Sequence, residues 1–141
     1  VLFESAETEQ GKLISKIEKA LSTTFIPYKA RIVLRSHAAL RQIVREAPKG
    51  FGRKPQKFRY DVIYLKEPMT AGEAMTSVTA RPGVDVVAMG SDVLYFSRLI
   101  AKAAQSHLAR IVSLPVYQHM TIRNWNTTSK LLALMDARTQ N

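Results

Sequence analysis

The chain has 141 residues, of which 46% are hydrophobic and 23% are charged, and 21 Lys and Arg against 11 Asp and Glu give a formal net charge of +10. This length suits one folded domain with a sizeable core, and the composition excludes a disordered or collagen-like chain. The absence of cysteine excludes disulfides, thiol nucleophiles and cysteine-ligated zinc, and it fits a reducing compartment, which predicts a cytoplasmic location.

The first third of the chain predicts strands and helices in alternation. Val1 to Phe3 has the composition of a short strand, and apolar residues at helical spacing then predict a helix that ends at Thr23-Thr24. Ala30 to Arg35 has the length and branched content of a strand. Ser36 is a suitable N-cap for a helix from His37 to Arg45.

A loop, a strand and a short helix follow. Lys49 to Gln56 contains glycine and proline but no apolar period, which predicts a surface loop. Aromatic and apolar residues recur at every second position from Phe58 to Tyr64, so we expect a strand with one clearly buried face. Thr70 and Glu73 have the spacing of a capping box, which predicts a helix near Ala71 to Val78.

The remaining elements are a hairpin and two helices. Val84 to Met89 and Val93 to Phe96 flank a short turn at Gly90-Ser91, which predicts two antiparallel strands. The first helix ends before Pro115, and its inward-facing residues are predicted to be Leu108, Ile111 and Val112. The second helix follows Asn124 to Asn126, and its inward-facing residues are predicted to be Thr128, Leu131, Leu132 and Met135.

The predicted elements come in the order strand, helix, strand, helix, strand, helix, two strands, helix, a short extended piece and a final helix. This mixture favours an α+β fold with an antiparallel or mixed sheet and helices packed on one face. No linker is long enough to separate two independent domains, so residues 1–141 are predicted to form a single domain. A subdomain division near residues 49–57 is the alternative.

The segment Pro115 to Thr128, followed by Lys130-Leu131-Leu132, resembles the C-terminal signature of the bacterial domain-of-unknown-function 1697 family. The strand that ends in Arg35-Ser36, the Leu-Tyr-Phe-Ser strand at 94–97 and Ser106-His107-Leu108 fit the same family order. The resemblance implies an α+β fold with ferredoxin-like elements, and it implies no reaction, cofactor or substrate. The family usually begins with a strand, a glycine-rich stretch and a helix upstream of Val1, so a fragment or a shortened member is expected.

The stretch before and into the predicted strand at 58–64 is the first candidate site. It contains five basic residues without one acid, Lys49, Arg53, Lys54, Lys57 and Arg59, interleaved with Phe51, Phe58 and Tyr60. Such a pattern is typical of surfaces that contact phosphates while an aromatic ring stacks on a base. In the alternative interpretation the aromatic rings turn inward and the charges only keep the surface soluble.

The second candidate site lies at the start of the last helix. Arg123, Asn124, Trp125 and Asn126 surround a helix N-terminus, where free backbone N–H groups and a guanidinium favour an anion and the indole ring can stack. In the alternative interpretation Asn124 or Asn126 caps the helix, Trp125 packs as an anchor and Arg123 pairs with a carboxylate or a carbonyl.

Charge supports an anionic partner at both sites. No acid occurs between Val93 and Met135, whereas this segment carries Arg98, Lys102, Arg110, Arg123 and Lys130, so a continuous basic face is expected. A basic surface gains affinity for nucleic acid by releasing condensed counterions. No run approaches the roughly 18 apolar residues of a membrane-spanning helix, so no membrane partner is predicted.

Motifs of catalysis are scarce in this sequence. It contains no phosphate-binding glycine motif, no nucleophile elbow and no metal-ligand spacing of histidines, so no catalytic residue, metal site or cofactor is predicted. The leading hypothesis is a cofactor-free binding module for an anionic ligand, with nucleic acid favoured over other phosphate-bearing ligands. The alternatives are an enzyme on a small organic anion, centred on Tyr117, His119, Arg123 and Asn124, and a protein-interaction or structural domain. A homodimer through an exposed sheet edge at the N-terminus is also expected.

Overall fold

The computed structural model describes residues 1–25 and 31–139, and the chain divides into two compact units, Val1–Arg35 and Ser36–Asn141. The basic loop at 49–57 lies inside the second unit. The prediction of a single domain stays a prediction. Within the described residues, no helix combines the length and the apolar character needed to cross a bilayer.

The first unit contains helix α1, Gln10–Thr24, which confirms the first predicted helix. The segment at 31–35 forms no strand, and its backbone bonds to side chains of α1: Ile32 N–H donates to Glu18 Oε1 at 2.8 Å, and Gln10 Nε2 donates to the Leu34 carbonyl at 2.6 Å. The strand predicted over Ala30–Arg35 is therefore wrong over its described part, and Ala30 lies outside the described residues.

The strand predicted at Val1–Phe3 is also wrong, because these residues pair with no other strand and Val1 and Phe3 are exposed. Branched and aromatic composition favours an extended backbone but does not supply a pairing partner. The N-terminal sheet edge expected to support a homodimer is therefore absent from the described residues. The homodimer itself stays a prediction.

The second unit contains the sheet. In chain order its elements are α2 (His37–Arg45), β1 (Phe58–Leu65), α3 (Ala71–Ser77), β2 (Asp85–Met89), β3 (Val93–Leu99), α4 (Leu108–Ile111), β4 (Met120–Asn124) and α5 (Trp125–Thr139), with short 3-10 helices at Ile100–Gln105 and Pro115–His119.

The strands form one antiparallel sheet in the order β2-β3-β1-β4. With α3 between β1 and β2 and α4 between β3 and β4, this is the β-α-β-β-α-β arrangement of ferredoxin-like folds, which confirms the predicted α+β class and antiparallel sheet. The short extended piece predicted before the last helix is in fact β4, an edge strand that pairs with β1.

Helices cover both faces of the sheet, so the prediction that they pack on one face is wrong. We call the face that carries Ile63 and Leu94 the crossover face, because α3 and α4 pack there in the main apolar cluster. The opposite, tyrosine face carries Tyr64 and Tyr95 and lies under α2 and α5. Tyr95 O–H donates to the Ile43 carbonyl of α2 at 2.5 Å.

Residues of both faces are buried at the centre of β1, where Val62 to Leu65 form a continuous apolar run. The predicted strand over Phe58–Tyr64 is confirmed, but the expected pattern of a single buried face holds only in the first half of β1. A strand with helices on both sides requires apolar residues in both directions, so the alternation ends there. On the tyrosine face, the hydroxyl of Tyr64 lies 2.7 Å from that of the fully buried Thr128 on α5.

The predicted helix caps are present. Ser36 Oγ accepts from Ala39 N–H at 3.1 Å at the start of α2, and Thr70 Oγ1 accepts from Glu73 N–H at 3.2 Å at the start of α3. In the next helix Leu108 and Ile111 are buried as predicted. Val112 is 56% exposed, because α4 ends one residue earlier.

Candidate ligand-binding cleft

A cleft of about 350 Å³ lies at the end of the sheet where β4 stops short of its neighbour. The last β1–β4 pair is Asp61 with Asn124, because the chain turns into α5 at Trp125, and residues 58–60 of β1 extend beyond it. The walls come from these residues, the end of β3, the first residues of α5, and Gly52 and Pro55 of the preceding loop.

The basic loop reaches this cleft through two tight turns. Phe51 N–H donates to the Pro48 carbonyl and Arg53 N–H to the Gly50 carbonyl, and Gly52 has φ +82°, a conformation in which L residues are strained. A Cβ at position 52 would lie 2.4 Å from Nε1 of Trp125. Only glycine therefore lets the loop backbone approach the indole ring this closely.

Phe51 fixes the loop to the tyrosine face. Its ring packs edge to face against Tyr60, Tyr95 and Trp125, with centroids 4.9, 5.4 and 5.1 Å apart. The Lys54 N–H also donates to the hydroxyl of Tyr60 at 3.1 Å. The interpretation in which the aromatic side chains turn inward therefore holds for Phe51.

The cations of this segment stay on the surface. Those predicted to contact a ligand are all exposed: Lys49, Arg53, Lys54, Lys57 and Arg59. Arg59 lines the cleft itself, while the other four lie on or beside the loop that forms part of its wall. Their ammonium and guanidinium groups are therefore available to a ligand that extends out of the cleft.

The second predicted site meets the first at the same cleft. Asn124, Trp125 and Asn126 all line it, and Trp125 is half-buried. Asn124 Oδ1 accepts from Thr127 N–H at 2.7 Å and so caps α5, as the structural interpretation predicted. Arg123 is exposed, does not line the cleft, and donates to the Ile122 carbonyl at 2.8 Å.

Two charged residues of the cleft were not among the predicted site residues. Arg98 of β3 lies directly opposite Arg59 of β1, and Asp61 lies two residues along β1 on the same face. The spacing of two residues between Arg59 and Asp61 could have predicted that both side chains lie on the same face of β1. The pairing with Arg98 could not be read without the strand register, which depends on the whole sheet.

Asp61 lies in surroundings that disfavour the charged form of its carboxyl group. Burial raises the pKa of its carboxyl, while the charges of Arg98 and Arg59 oppose that shift. Asp61 Oδ2 and Arg98 Nε are both buried, and neither has a hydrogen-bond partner among residues 1–25 and 31–139. Two polar atoms at this end of the crossover face therefore lack hydrogen bonds within the described residues.

The residues of the predicted enzyme alternative do not form a connected group. Among described residues, no hydrogen bond or ion pair joins the side chains of Tyr117, His119, Arg123 and Asn124. The backbone carbonyl of His119 accepts from Lys66 N–H at 2.7 Å. Over residues 1–25 and 31–139 no group of three His, Asp or Glu side chains is arranged to hold a metal ion.

Comparison with solved structures shows the fold. A conserved bacterial protein from Streptococcus pneumoniae superposes with a TM-score of 0.77 at 17% sequence identity, over 94% of this chain and 73% of that chain. No curated protein matches this chain. The family model described as a protein of unknown function, DUF1697, matches residues 1–95, a range that leaves out the motif at Pro115–Thr128. The chain therefore belongs to the DUF1697 family.

Proposed function

We propose that this protein is a binding module for phosphate-bearing ligands and that single-stranded nucleic acid is its foremost ligand. One observation carries the proposal: the basic loop and the start of α5, which are far apart in the sequence, meet at one cleft that contains Arg59 and Trp125. A groove with cations for the backbone and an aromatic ring for a base is the common design of single-strand binders.

Electrostatics supports this function. The chain carries a net charge of +10, and the loop beside the cleft contributes exposed cations without an acid. Each phosphate that such a cation neutralises releases a condensed counterion, so binding weakens steeply as salt rises. The loop backbone is also fixed by Phe51 and Gly52, so the backbone needs little ordering when a ligand binds.

Trp125 supplies the aromatic surface. It is half-buried, lines the cleft, and is fixed in place by the edge-to-face contact with Phe51 and by close packing against Gly52. Stacking of a base on an aromatic side chain contributes about 1–3 kcal/mol and tolerates any base. We therefore expect weak sequence preference.

The test is a fluorescence-anisotropy titration with labelled single-stranded and duplex DNA and RNA at two salt concentrations. We expect Lys54→Glu to weaken single-strand binding and to lower the slope of log K against log salt by about 0.7 for each phosphate that the variant no longer neutralises. Lys16→Glu is the matched control, because Lys16 is exposed on α1 and does not line the cleft. Equal affinities of both variants, or no binding by the unaltered protein at low salt, would contradict the proposal.

A further inference from the structure

We propose, on the basis of the function above, that Arg59 and Arg98 form a subsite for a phosphomonoester, so that the cleft prefers the phosphorylated end of a strand to its internal phosphodiesters. The shared chemistry is a terminal phosphate dianion, which a free mononucleotide also carries. The juxtaposition of two arginines on neighbouring strands inside the cleft is the observation that leads to this inference.

The arginines lie opposite each other near the ends of the two central strands, β1 and β3. Arg59 and Arg98 are register partners in the antiparallel β1–β3 pair, so their Cβ atoms are about 4.5–5.5 Å apart on the same face. Like charges in directly opposite positions destabilise a sheet. A pair of this kind therefore costs free energy in the absence of an anion.

Acidic residues of the described chain do not neutralise this pair by direct contact. Neither guanidinium forms an ion pair or a hydrogen bond with a described side chain. Asp85, the register partner of Arg98 on β2, accepts instead from Ser106 Oγ, His107 N–H and Arg81 N–H. Asp61 acts on both arginines through its charge alone, and its Oδ2 has no hydrogen-bond partner in the described part of the chain.

The number of acceptor oxygens favours a phosphomonoester over a phosphodiester at this arginine pair. A phosphomonoester carries about −1.5 to −2 charges near pH 7 and three acceptor oxygens. A phosphodiester carries one negative charge and only two such oxygens. Two arginines can engage several oxygens of one terminal phosphate through paired N–H donors, a geometry that arginine favours and lysine does not provide.

The dimensions of the cleft agree with a single terminal nucleotide. Its volume of about 350 Å³ lies at the lower end of the roughly 300–1,000 Å³ typical of small-ligand pockets. Trp125 and Asn126 lie on the same cleft as the arginines, so a sugar and a base have contacts once the phosphate is bound.

The decisive experiment uses the unaltered chain and one labelled single-stranded oligonucleotide in three forms, with a 5′-phosphate, with a 3′-phosphate and with hydroxyls at both ends. We expect one phosphorylated form to bind at least about tenfold more tightly than the hydroxyl form, as the free energy of one added hydrogen bond to a charged group implies. An unlabelled nucleoside monophosphate is added as competitor. Displacement of the labelled phosphorylated strand by the nucleotide supports the subsite. If the nucleotide displaces it at a lower concentration than the unlabelled phosphorylated strand does, the free nucleotide is identified as the ligand of the subsite.

Variants then connect the preference to the subsite. Arg98→Gln should reduce the ratio of affinities toward one, Arg98→Lys should restore part of it, and Lys16→Gln should leave it unchanged. Asp61→Asn should tighten binding of the phosphorylated strand several-fold, because it removes a carboxylate that repels the ligand. A purely structural role of Asp61 would not produce this gain. Circular dichroism confirms that each variant is folded.

The outcomes separate the subsite from the proposed function. Equal binding of the three oligonucleotides with steep salt dependence would overturn the phosphomonoester subsite and leave the binding function intact. If none of the three strands and no mononucleotide binds at low salt, both proposals fail. A phosphate preference that survives Arg98→Gln would also overturn the assignment to this arginine pair.

Discussion

At the residue scale, Gly52 shows how one position connects the loop to the cleft. It combines φ +82° with a backbone so close to Trp125 that a Cβ would lie 2.4 Å from Nε1, whereas Gly50, at φ +84°, has open space around it. We expect Gly52→Ala to lower the free energy of unfolding by about 2–4 kcal/mol, the sum of backbone strain and overpacking. Gly50→Ala should cost about 1 kcal/mol, because only the backbone strain applies there.

Urea unfolding measures both decreases in stability, and Trp125, the single tryptophan, reports the loop directly through its fluorescence. A shifted emission maximum in folded Gly52→Ala, and not in Gly50→Ala, is the expected signature of a displaced indole ring. Equal decreases in the two variants would mean that the packing against Trp125 contributes nothing beyond the turn conformation.

At the element scale, α5 begins where β4 ends, and this boundary shapes the cleft. Asn124 is the last residue of β4 and caps α5 through Thr127 N–H, while the neighbouring Asn126 is exposed. Asn124→Ala should therefore lower the free energy of unfolding by about 1 kcal/mol, as removal of an N-cap usually does. Asn126→Ala is the control and should stay within about 0.5 kcal/mol of the unaltered protein. Thermal unfolding compares the two, and a larger decrease for Asn126→Ala would contradict the capping assignment.

Several of these elements could be predicted from local patterns in the sequence. Caps and apolar periods are local signals, and α2, β1, α3 and the β2–β3 hairpin follow from them. The strand predicted at Val1–Phe3 is wrong, and so is the strand predicted over Ala30–Arg35 at its described residues 31–35, because composition alone does not provide a pairing partner. Arg98 is opposite Arg59 only because of the sheet register, which no local pattern of this sequence contains. The segments of the cleft were predictable, and their meeting was not.

At the scale of the whole molecule, two carboxyl groups give the stability opposite dependences on pH. The Asp136 side chain on α5 accepts from His37 of α2 at 2.6 Å and lies 3.3 Å from Nη2 of Arg41. The hydrogen bond with His37 is the main cause that lowers the pKa of Asp136, whereas burial raises the pKa of Asp61. A lowered pKa stabilises the fold when the group is ionised, and a raised pKa does the reverse.

The directions of the pKa shifts of Asp136 and Asp61 give the last predictions. Asp136→Asn should be less stable than the unaltered protein at pH 7, and the difference should disappear as pH falls from about 4, the unfolded pKa, through the lower folded pKa.

Asp61→Asn should be more stable at pH 7, and its advantage should shrink as pH falls through the raised folded pKa toward about 4. Melting temperatures between about pH 3 and 7 measure both differences. Because Asp61 opposes stability near neutral pH, a gain in both melting temperature and phosphate affinity in Asp61→Asn would identify this carboxylate as unfavourable to the fold and the ligand alike. A melting temperature of Asp61→Asn that stays below that of the unaltered protein at every pH would contradict this assignment.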